Sequence, residues 1–572
     1  MKTQELTGYP SIDKPWLKYY SEEAIHAILP ECTIYEYLWE NNKKNLDSIA
    51  LNYFGREISF KKLFDEIDRA ARAFRIMGVE AGDVCTVVTL SCVNSVIVFY
   101  ALNKIGAVSN YINVISSEEE MEIYFKESAS QYVVTMDLFA DKVLKACGIH
   151  DKVVVFSVSD YMPIQTKWIA KIKFSSFSHD IWEDKRVIRW KEFLLQAKTP
   201  EDNIIYKKDA SSVSIWAHTS GTTGFPKTVL LTDKAYNAVV MQYMKSMKHQ
   251  RGETFLNIMV PFVVYGMLVC MHMPLCMGLT VVLIPKFNAA EWVRYLKKYK
   301  PNHIAGVPPY FSPMLSDDKL SNIDMSYLIT IAAGGDGLNE KLENEMNEFL
   351  ARHNVKAKLL KGYGMTEVCA TAVTNFNNYT KIGSVGIPLV KNNVCIWDND
   401  RKRECAYGEK GEICLFSPSL MLTYKNNREA VEDLIRKDSN GIQWVHTGDL
   451  GYMDEDGFLF IVGRMKRFMF VGSGGTVYKV LPQAIEDVIA TISGVQEVCV
   501  VSVYNGSGFV PKAYVVLKED CVMQQEDVRV KISTMCGETL ADYMRPHMIE
   551  FLDSMPKTAV GKVDFQVLEG MG

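Results

Sequence analysis

Short apolar runs rich in β-branched residues alternate along this chain with longer stretches of helical spacing. CTVVTLS (85–91), QYVVTMD (131–137), KVVVFSVS (152–159), VSIWA (213–217), TVVLIP (280–285), HIAGVPP (303–309) and LITIAAGG (328–335) read as buried strands. VNSVIVFYALNKIGAV (93–108) reads as a helix. Strands alternating with helices predict parallel, doubly wound sheets. From about residue 464 the rhythm changes. EDVIATISGVQEVCVVSVYN (486–505), PKAYVVLKED (511–520) and a helical run over 525–543 form a compact α+β pattern. The predicted architecture is α/β: a large N-terminal domain with doubly wound sheets (1–463) plus a small α+β C-terminal domain (464–572).

Two segments depart from this alternation. Residues 258–285 contain no Asp, Glu, Lys or Arg, which is long enough to cross a bilayer. Pro261, Gly266, Pro274 and Gly278 punctuate the run, and a buried strand, helix and strand read the same way. The second reading is the better one. QTKWIAKIKFSSF (165–177) mixes Trp, Ile and Phe with Lys167, Lys171 and Lys173. It reads as a solvated loop, with a patch resting on a membrane surface as the alternative.

The composition is that of a water-soluble enzyme-sized protein. With 63 basic and 68 acidic residues the net charge is −5, so no basic surplus marks a nucleic-acid binder. The 13 cysteines include no CxxC pair, and the N-terminus has no secretory apolar region. Free thiols in a reducing cytoplasm fit this pattern.

Candidate chemistry concentrates in HTSGTTGFPKT (218–228). Thr219, Ser220, Thr222 and Thr223 supply hydroxyls around Gly221 and Gly224, ahead of Lys227. Glycines let backbone N–H groups approach phosphate oxygens, hydroxyls donate further hydrogen bonds, and Lys227 supplies a point charge. The string nearly matches a Walker A loop, but Pro226 stands where the last glycine belongs. Proline has no N–H and a fixed φ, so the two loops are not equivalent.

The string closely resembles the signature of the acyl-adenylate-forming superfamily, which includes acyl-CoA synthetases, peptide-synthetase adenylation domains and firefly-type luciferases. Further resembling motifs follow in order over most of the chain. AAGGDGL (332–338) resembles the segment lying along the nucleotide, which makes Gly334, Gly335 and Asp336 candidates. GYGMTE (362–367) is similar to the adenine and metal motif. The resemblance implies that Tyr363 stacks on adenine, Thr366 meets the α-phosphate and Glu367 helps to hold Mg²⁺. HTGDLGYMDEDGFLFIVGRMKR (446–467) implies Asp449 at the ribose hydroxyls, Arg464 at ribose or phosphate and Lys466 at a hinge. PKTAVGKVD (556–564) resembles the catalytic-lysine loop, with Lys562 between the carboxylate and the α-phosphate. GSVGIP (383–388) and GEICLFSPSLMLTYKNN (411–427) also resemble family segments and read as structural.

The implied activity is ATP-dependent activation of a carboxylic acid as an acyl-adenylate, followed by transfer to coenzyme A. The alternative is a stand-alone ligase loading an acyl-carrier protein; a phosphate-releasing hydrolase and a non-catalytic nucleotide binder belong to other classes. The sequence also departs from the family pattern. VPFVVYG (260–266) carries Val263 and Val264 where many acyl-CoA synthetases place an aromatic–His gate. No Asp stands nearby to hold an amino group. A pocket of Val263, Val264, Tyr265 and Met267 favours a medium- or long-chain, or aryl, acid. The stretch 467–486 is a few residues longer than usual, which opens the question of the thiol acceptor. Thr228 replaces the usual glycine after the motif lysine and is expected to matter little.

Overall fold

The computed structural model describes residues 6–148, 151–167, 179–197, 209–219, 227–376, 379–438, 441–467, 469–473, 476–505, 508–558 and 562–571. Strand and helix patterns of the sequence fold into four sheets. A nine-stranded sheet is parallel through its centre, where Thr254–Asn257, Thr280–Leu283, His303–Gly306, Thr330–Gly334 and Leu359–Tyr363 lie together. An eight-stranded sheet is parallel from Val213–Thr219 through Val108–Tyr111, Val84–Val88, Tyr132–Met136 and Lys152–Phe156 to Val187–Arg189. Its other edge turns antiparallel at Lys227–Thr232 and Thr423–Tyr424. Strands buried on both faces are predominantly apolar, which is why they read as near-continuous runs.

The helix Val93–Lys104 is buried along its whole length, consistent with the apolar run Val96–Leu102 at its centre. It ends before the predicted residue 108. Gly106 takes a left-handed φ of 80°, and Val108–Tyr111 begins a fully buried strand. By contrast, Phe60–Met77 is amphipathic, capped by Ser59 at its start and by left-handed Gly78 at its end.

The uncharged stretch at 258–285 lies inside the core. It holds the short helices Val264–Met267 and Met273–Cys276, a π-helical turn at Leu268–His272 between them, and the strand Thr280–Leu283. Among the described residues no helix is long and apolar enough to cross a membrane. Much of the 165–177 segment lies outside the described residues.

Two further sheets follow in the chain. Six antiparallel strands span Asn393–Arg464. The alternating burial of Gln443–Met453 marks this sheet as one that covers a core on one side only. A five-stranded sheet, Met469–Phe551, packs against the helices Pro482–Ala490 and Gln525–Thr539 around its own apolar core of Ile485, Ile489, Val500, Val515, Val528 and Ile532. It is the α+β unit expected from the sequence.

Candidate active site

The motifs converge because they sit at equivalent ends of neighbouring elements. Gly334 ends one parallel strand, and Gly362 pairs with it on the next. Loops leaving the carboxyl ends of such strands face the same crevice. Gly335, Asp336 and the turn Gly364–Thr366 therefore emerge side by side. At Gly364 an added Cβ would lie 2.0 Å from the Ala370 carbonyl oxygen, so no other residue fits that turn.

The second wall comes from the antiparallel sheet. Asp449 pairs in register with Arg464 on the adjoining strand. Its Oδ1 lies 2.9 Å from Arg464 Nε, and its Oδ2 accepts a 2.6 Å hydrogen bond from the Tyr363 hydroxyl. Asp449 is only 5% exposed. Burial pushes its carboxyl pKa up, and Arg464, Tyr363 and Lys562 counteract the shift. The Tyr363 phenol is pushed well up by burial and by this carboxylate, so it remains a donor.

Lys562 is presented by a tight loop in which Thr558 N donates to the Lys562 carbonyl at 2.7 Å. The residue is exposed, yet loss of solvent around its ammonium lowers the pKa below the ordinary lysine value. Asp336 and Asp449 oppose that shift and Arg464 adds to it. A residue near the end of the chain thus shares one electrostatic neighbourhood with residues from two other sheets.

On the third side, Glu367 is buried, and its Oε1 accepts a 2.6 Å hydrogen bond from the Tyr424 hydroxyl. Lys227 Nζ lies 5.0 Å from the centroid of the same tyrosine ring. The strand Thr423–Tyr424 pairs with Val229 and Leu230, which brings Tyr424 beside the motif lysine. Tyr424 is a site residue that motif reading missed. It lies in the 411–427 segment read as structural, and no spacing distinguishes it there. Thr366 opens the single turn Thr366–Val368 that carries Glu367. Glu367 and Thr366 offer oxygen ligands, which suit Mg²⁺.

Among the described residues a different cluster, Glu412, Cys414 and His446, brings its ligand atoms within 4.8 Å of one another. Burial beside Glu412 pushes the Cys414 thiol well up, so it is not a thiolate. Glu412 already accepts from Gly448 N at 3.1 Å and Asn399 Nδ2 at 3.0 Å, with His446 Nδ1 at 2.9 Å. The cluster braces Gly448, the neighbour of Asp449.

Thr219 ends the strand Val213–Thr219, and its hydroxyl donates to the Lys227 carbonyl at 3.4 Å. Ser220, Gly221, Thr222, Thr223 and Gly224 lie outside the described residues. Lys466 is placed in the turn Met465–Arg467. Of the predicted acid-pocket residues, Val264 and Met267 are 4% and 2% exposed and pack into the main core. Val263 and Tyr265 are half-buried. Tyr265 donates to the Gly306 carbonyl at 3.3 Å, and a Cβ at Gly334 would sit 3.7 Å from its ring. Tyr265 therefore links the 260–266 stretch to the 332–338 segment.

Residues 38–425 match the model of the AMP-binding enzyme family, and residues 484–562 match that of the AMP-binding enzyme C-terminal domain. A long-chain-fatty-acid–CoA ligase of Bacillus subtilis is 27% identical over 559 residues, covering 96% of each chain. A probable 4-coumarate–CoA ligase of Dictyostelium discoideum is 24% identical over 570 residues, covering 95% of this chain and 96% of the relative. The crystal structure of an anthranilate–CoA ligase with anthranoyl-AMP superposes with a TM-score of 0.80 at 21% identity, covering 95% of this chain and 98% of that one. With the family models spanning most of its length and its motif residues gathered in one place, the chain belongs to the AMP-binding enzyme family.

Proposed function

We propose that this chain is an ATP-dependent, AMP-forming acid–CoA ligase whose acid is a medium- or long-chain alkyl acid or an aryl acid. The observation that carries the reading is the convergence of Lys562 with Asp336, Asp449 and Arg464. It supplies a cation where two anions must meet. The first half-reaction joins a carboxylate oxygen to the α-phosphorus of ATP and breaks the bond to the β-phosphate bridging oxygen, releasing pyrophosphate. The Lys562 ammonium offsets the repulsion between the approaching carboxylate and the α-phosphate. Asp449 accepts hydrogen bonds from the ribose hydroxyls, Arg464 assists at ribose or phosphate, and Tyr363 places its ring against the adenine. Gly334, Gly335 and Asp336 line the nucleotide. Thr366 meets the α-phosphate, and Lys227, Thr219 and the Ser/Thr/Gly residues 220–224 serve the phosphate tail. Glu367, fixed by Tyr424, and Thr366 are the residues that would hold Mg²⁺, which supplies charge neutralisation at the phosphates.

In the second half-reaction the thiol of coenzyme A attacks the acyl carbon. The C–S bond forms as the thiol proton passes to solvent, the acyl–phosphate C–O bond breaks, and AMP leaves. We assign residues 1–463 to acid and nucleotide binding and 464–572 to a mobile unit that withdraws Lys562 by rotating at Lys466. Lys466→Pro is expected to spare acid-dependent pyrophosphate exchange and to cut thioester formation; equal survival of both half-reactions would refute the hinge. Of the predicted set, Val263 and Tyr265 are assigned to the apolar acid side, with Val264 and Met267 packed behind them in the core. That chemistry suits the fatty-acid and 4-coumarate substrates in the relatives' names. All 13 cysteines are free, which supports a reducing cytoplasmic setting. Most of residues 165–177 lie outside the described residues, and flotation of the protein with anionic vesicles tests whether this Trp- and Lys-containing sequence makes peripheral membrane contact.

A second reading, loading of an acyl-carrier protein, is favoured by one feature. The lengthened segment after Lys466 forms an antiparallel hairpin, Met469–Ser473 with Thr476–Val480, and it leaves Phe470 and Tyr478 exposed. Pyrophosphate and AMP release across a panel of aliphatic and aryl acids, with and without coenzyme A, decides between the readings. Turnover that requires both one acid class and coenzyme A supports the ligase. Acid-dependent exchange without coenzyme A turnover supports the carrier reading. No acid dependence at all would sink both.

A further inference from the structure

The residue after the motif lysine, expected to be a neutral replacement, is built into a buried polar chain. Thr228 is 2% exposed. Its Oγ1 lies 2.6 Å from Glu127 Oε2 and 3.0 Å from His218 Nδ1. His218 Nε2 lies 2.7 Å from Asn110 Oδ1, and Asn110 Nδ2 donates to Thr86 Oγ1 at 3.1 Å. Thr228, His218, Asn110 and Thr86 sit on four consecutive strands of the eight-stranded sheet. Glu127 comes from the helix Glu118–Ser128, whose Tyr124 ring lies 4.1 Å from the His218 ring. Burial pushes His218 down to about 3, so it takes part as a neutral hydrogen-bonding group.

Register explains what this chain can do. His218 pairs with Thr228 across the antiparallel strands, and the next pair is Thr219 with Lys227. Neighbouring residues on a strand point to opposite faces. Pinning Thr228 and His218 on the helix side therefore fixes the backbone from which Lys227 projects toward Tyr424 on the other side. A glycine at 228 would leave that backbone untied and Glu127 without its hydroxyl partner.

We propose that Thr228, Glu127 and His218 are positioning residues that set Lys227 and Thr219 for the phosphates of ATP, a role that rests on the ligase reading above. They touch no reacting atom. The test uses the full-length enzyme, with ATP binding followed by calorimetry and Michaelis constants for ATP and acid taken from pyrophosphate exchange. Thr228→Val and Glu127→Ala should each weaken ATP binding about tenfold, the scale of a lost hydrogen bond to a charged group. The acid's Michaelis constant should not move. Thr228→Ser should restore wild-type binding, and the double variant should be no worse than either single, because both remove the same contact. Wild-type ATP affinity in both single variants, additive losses, or an equal rise for ATP and acid would overturn the proposal while leaving the ligase reading intact. A wild-type enzyme that binds no ATP would overturn both. Thermal midpoints identify a variant that fails only by unfolding, and Glu127→Ala, altered on a half-buried helix residue, then carries the test.

Discussion

The sides proposed for the nucleotide and for the acid are built on different principles. On the nucleotide side, polar groups meet one another directly, Asp449 with Tyr363 and Arg464 and Glu367 with Tyr424, while Lys562 feels the charges of Asp336, Arg464 and Asp449. On the acid side, Val264 and Met267 disappear into the core, and Tyr265 makes one backbone hydrogen bond. Phosphate, ribose and carboxylate each demand a donor, acceptor or charge at a defined point. An apolar acid demands only volume and shape, which many combinations of side chains provide. Damage to the first side should therefore be steep and selective for ATP, and changes to the second should be shallow and selective for the acid.

The contrast predicts its largest effect at Lys562. Lys562→Ala should lower acid-dependent pyrophosphate exchange by about 100- to 1,000-fold, the scale of removing a transition-state charge donor. The thermal midpoint should hold, because the side chain is exposed. Thioester formation from a supplied acyl-adenylate should survive; equal loss of both half-reactions would remove Lys562 from its assigned step. The pH profile follows from its lowered pKa. Adenylation needs the protonated amine, so activity should fall as pH rises through a value below that of an ordinary lysine. A plateau reaching beyond the ordinary value would contradict the crowded environment of the ammonium.

Asp449→Asn comes next. It leaves Arg464 without its carboxylate partner and removes the charge proposed to meet the ribose. The expected loss is about ten- to a hundredfold in kcat/KM for ATP, with the acid's Michaelis constant unchanged. A matching loss for the acid would mean that the two sides are not separable.

The same contrast explains what could be read from the sequence. Parallel strands at 85–91, 131–137, 152–159, 213–217, 280–285, 303–309 and 328–335 stood out because burial on both faces makes them predominantly apolar. The strand Val108–Tyr111 did not, because its VSNY residues are half polar and the preceding helix runs into it without a break in hydrophobicity. The antiparallel sheet over Asn393–Arg464 shows only one-sided alternation, a weaker signal. Asp449, Arg464, Glu367 and Lys562 were legible as members of long motifs. Tyr424 and Thr228 were not, because each acts through a partner far away in sequence: Glu367 for one, Glu127 and His218 for the other.

On the acid side, Val263→Phe adds bulk at a half-buried position next to the Tyr265 helix. The expected outcome is a shift in preference toward shorter acids by about tenfold, the usual size of a discrimination made by apolar volume. The Michaelis constant for ATP should stay put. If every acid is lost alike, Val263 supports the fold and does not face the substrate.

The smallest effect lies away from both sides and calibrates them. Lys18 and Lys381 grip Asp456 at 2.8 and 2.7 Å, fastening the N-terminal arm around buried Trp16 to the antiparallel sheet. Hydrogen bonds from Lys18 and Lys381 hold the Asp456 carboxyl down at about 2. A carboxylate with a depressed folded-state pKa stabilises fully above its unfolded value of about 4, and the contribution disappears as pH falls through about 2. Half of the Asp456 side chain is in water, so solvent screening limits the contribution to less than about 1 kcal/mol. Asp456→Asn should therefore lower the thermal midpoint by only about 1 °C near neutral pH, with the difference shrinking in added salt and toward pH 2. Neither the ATP nor the acid Michaelis constant should respond. A drop of several degrees would show that the N-terminal arm, and not only the sheets beneath the motifs, holds the nucleotide side in shape.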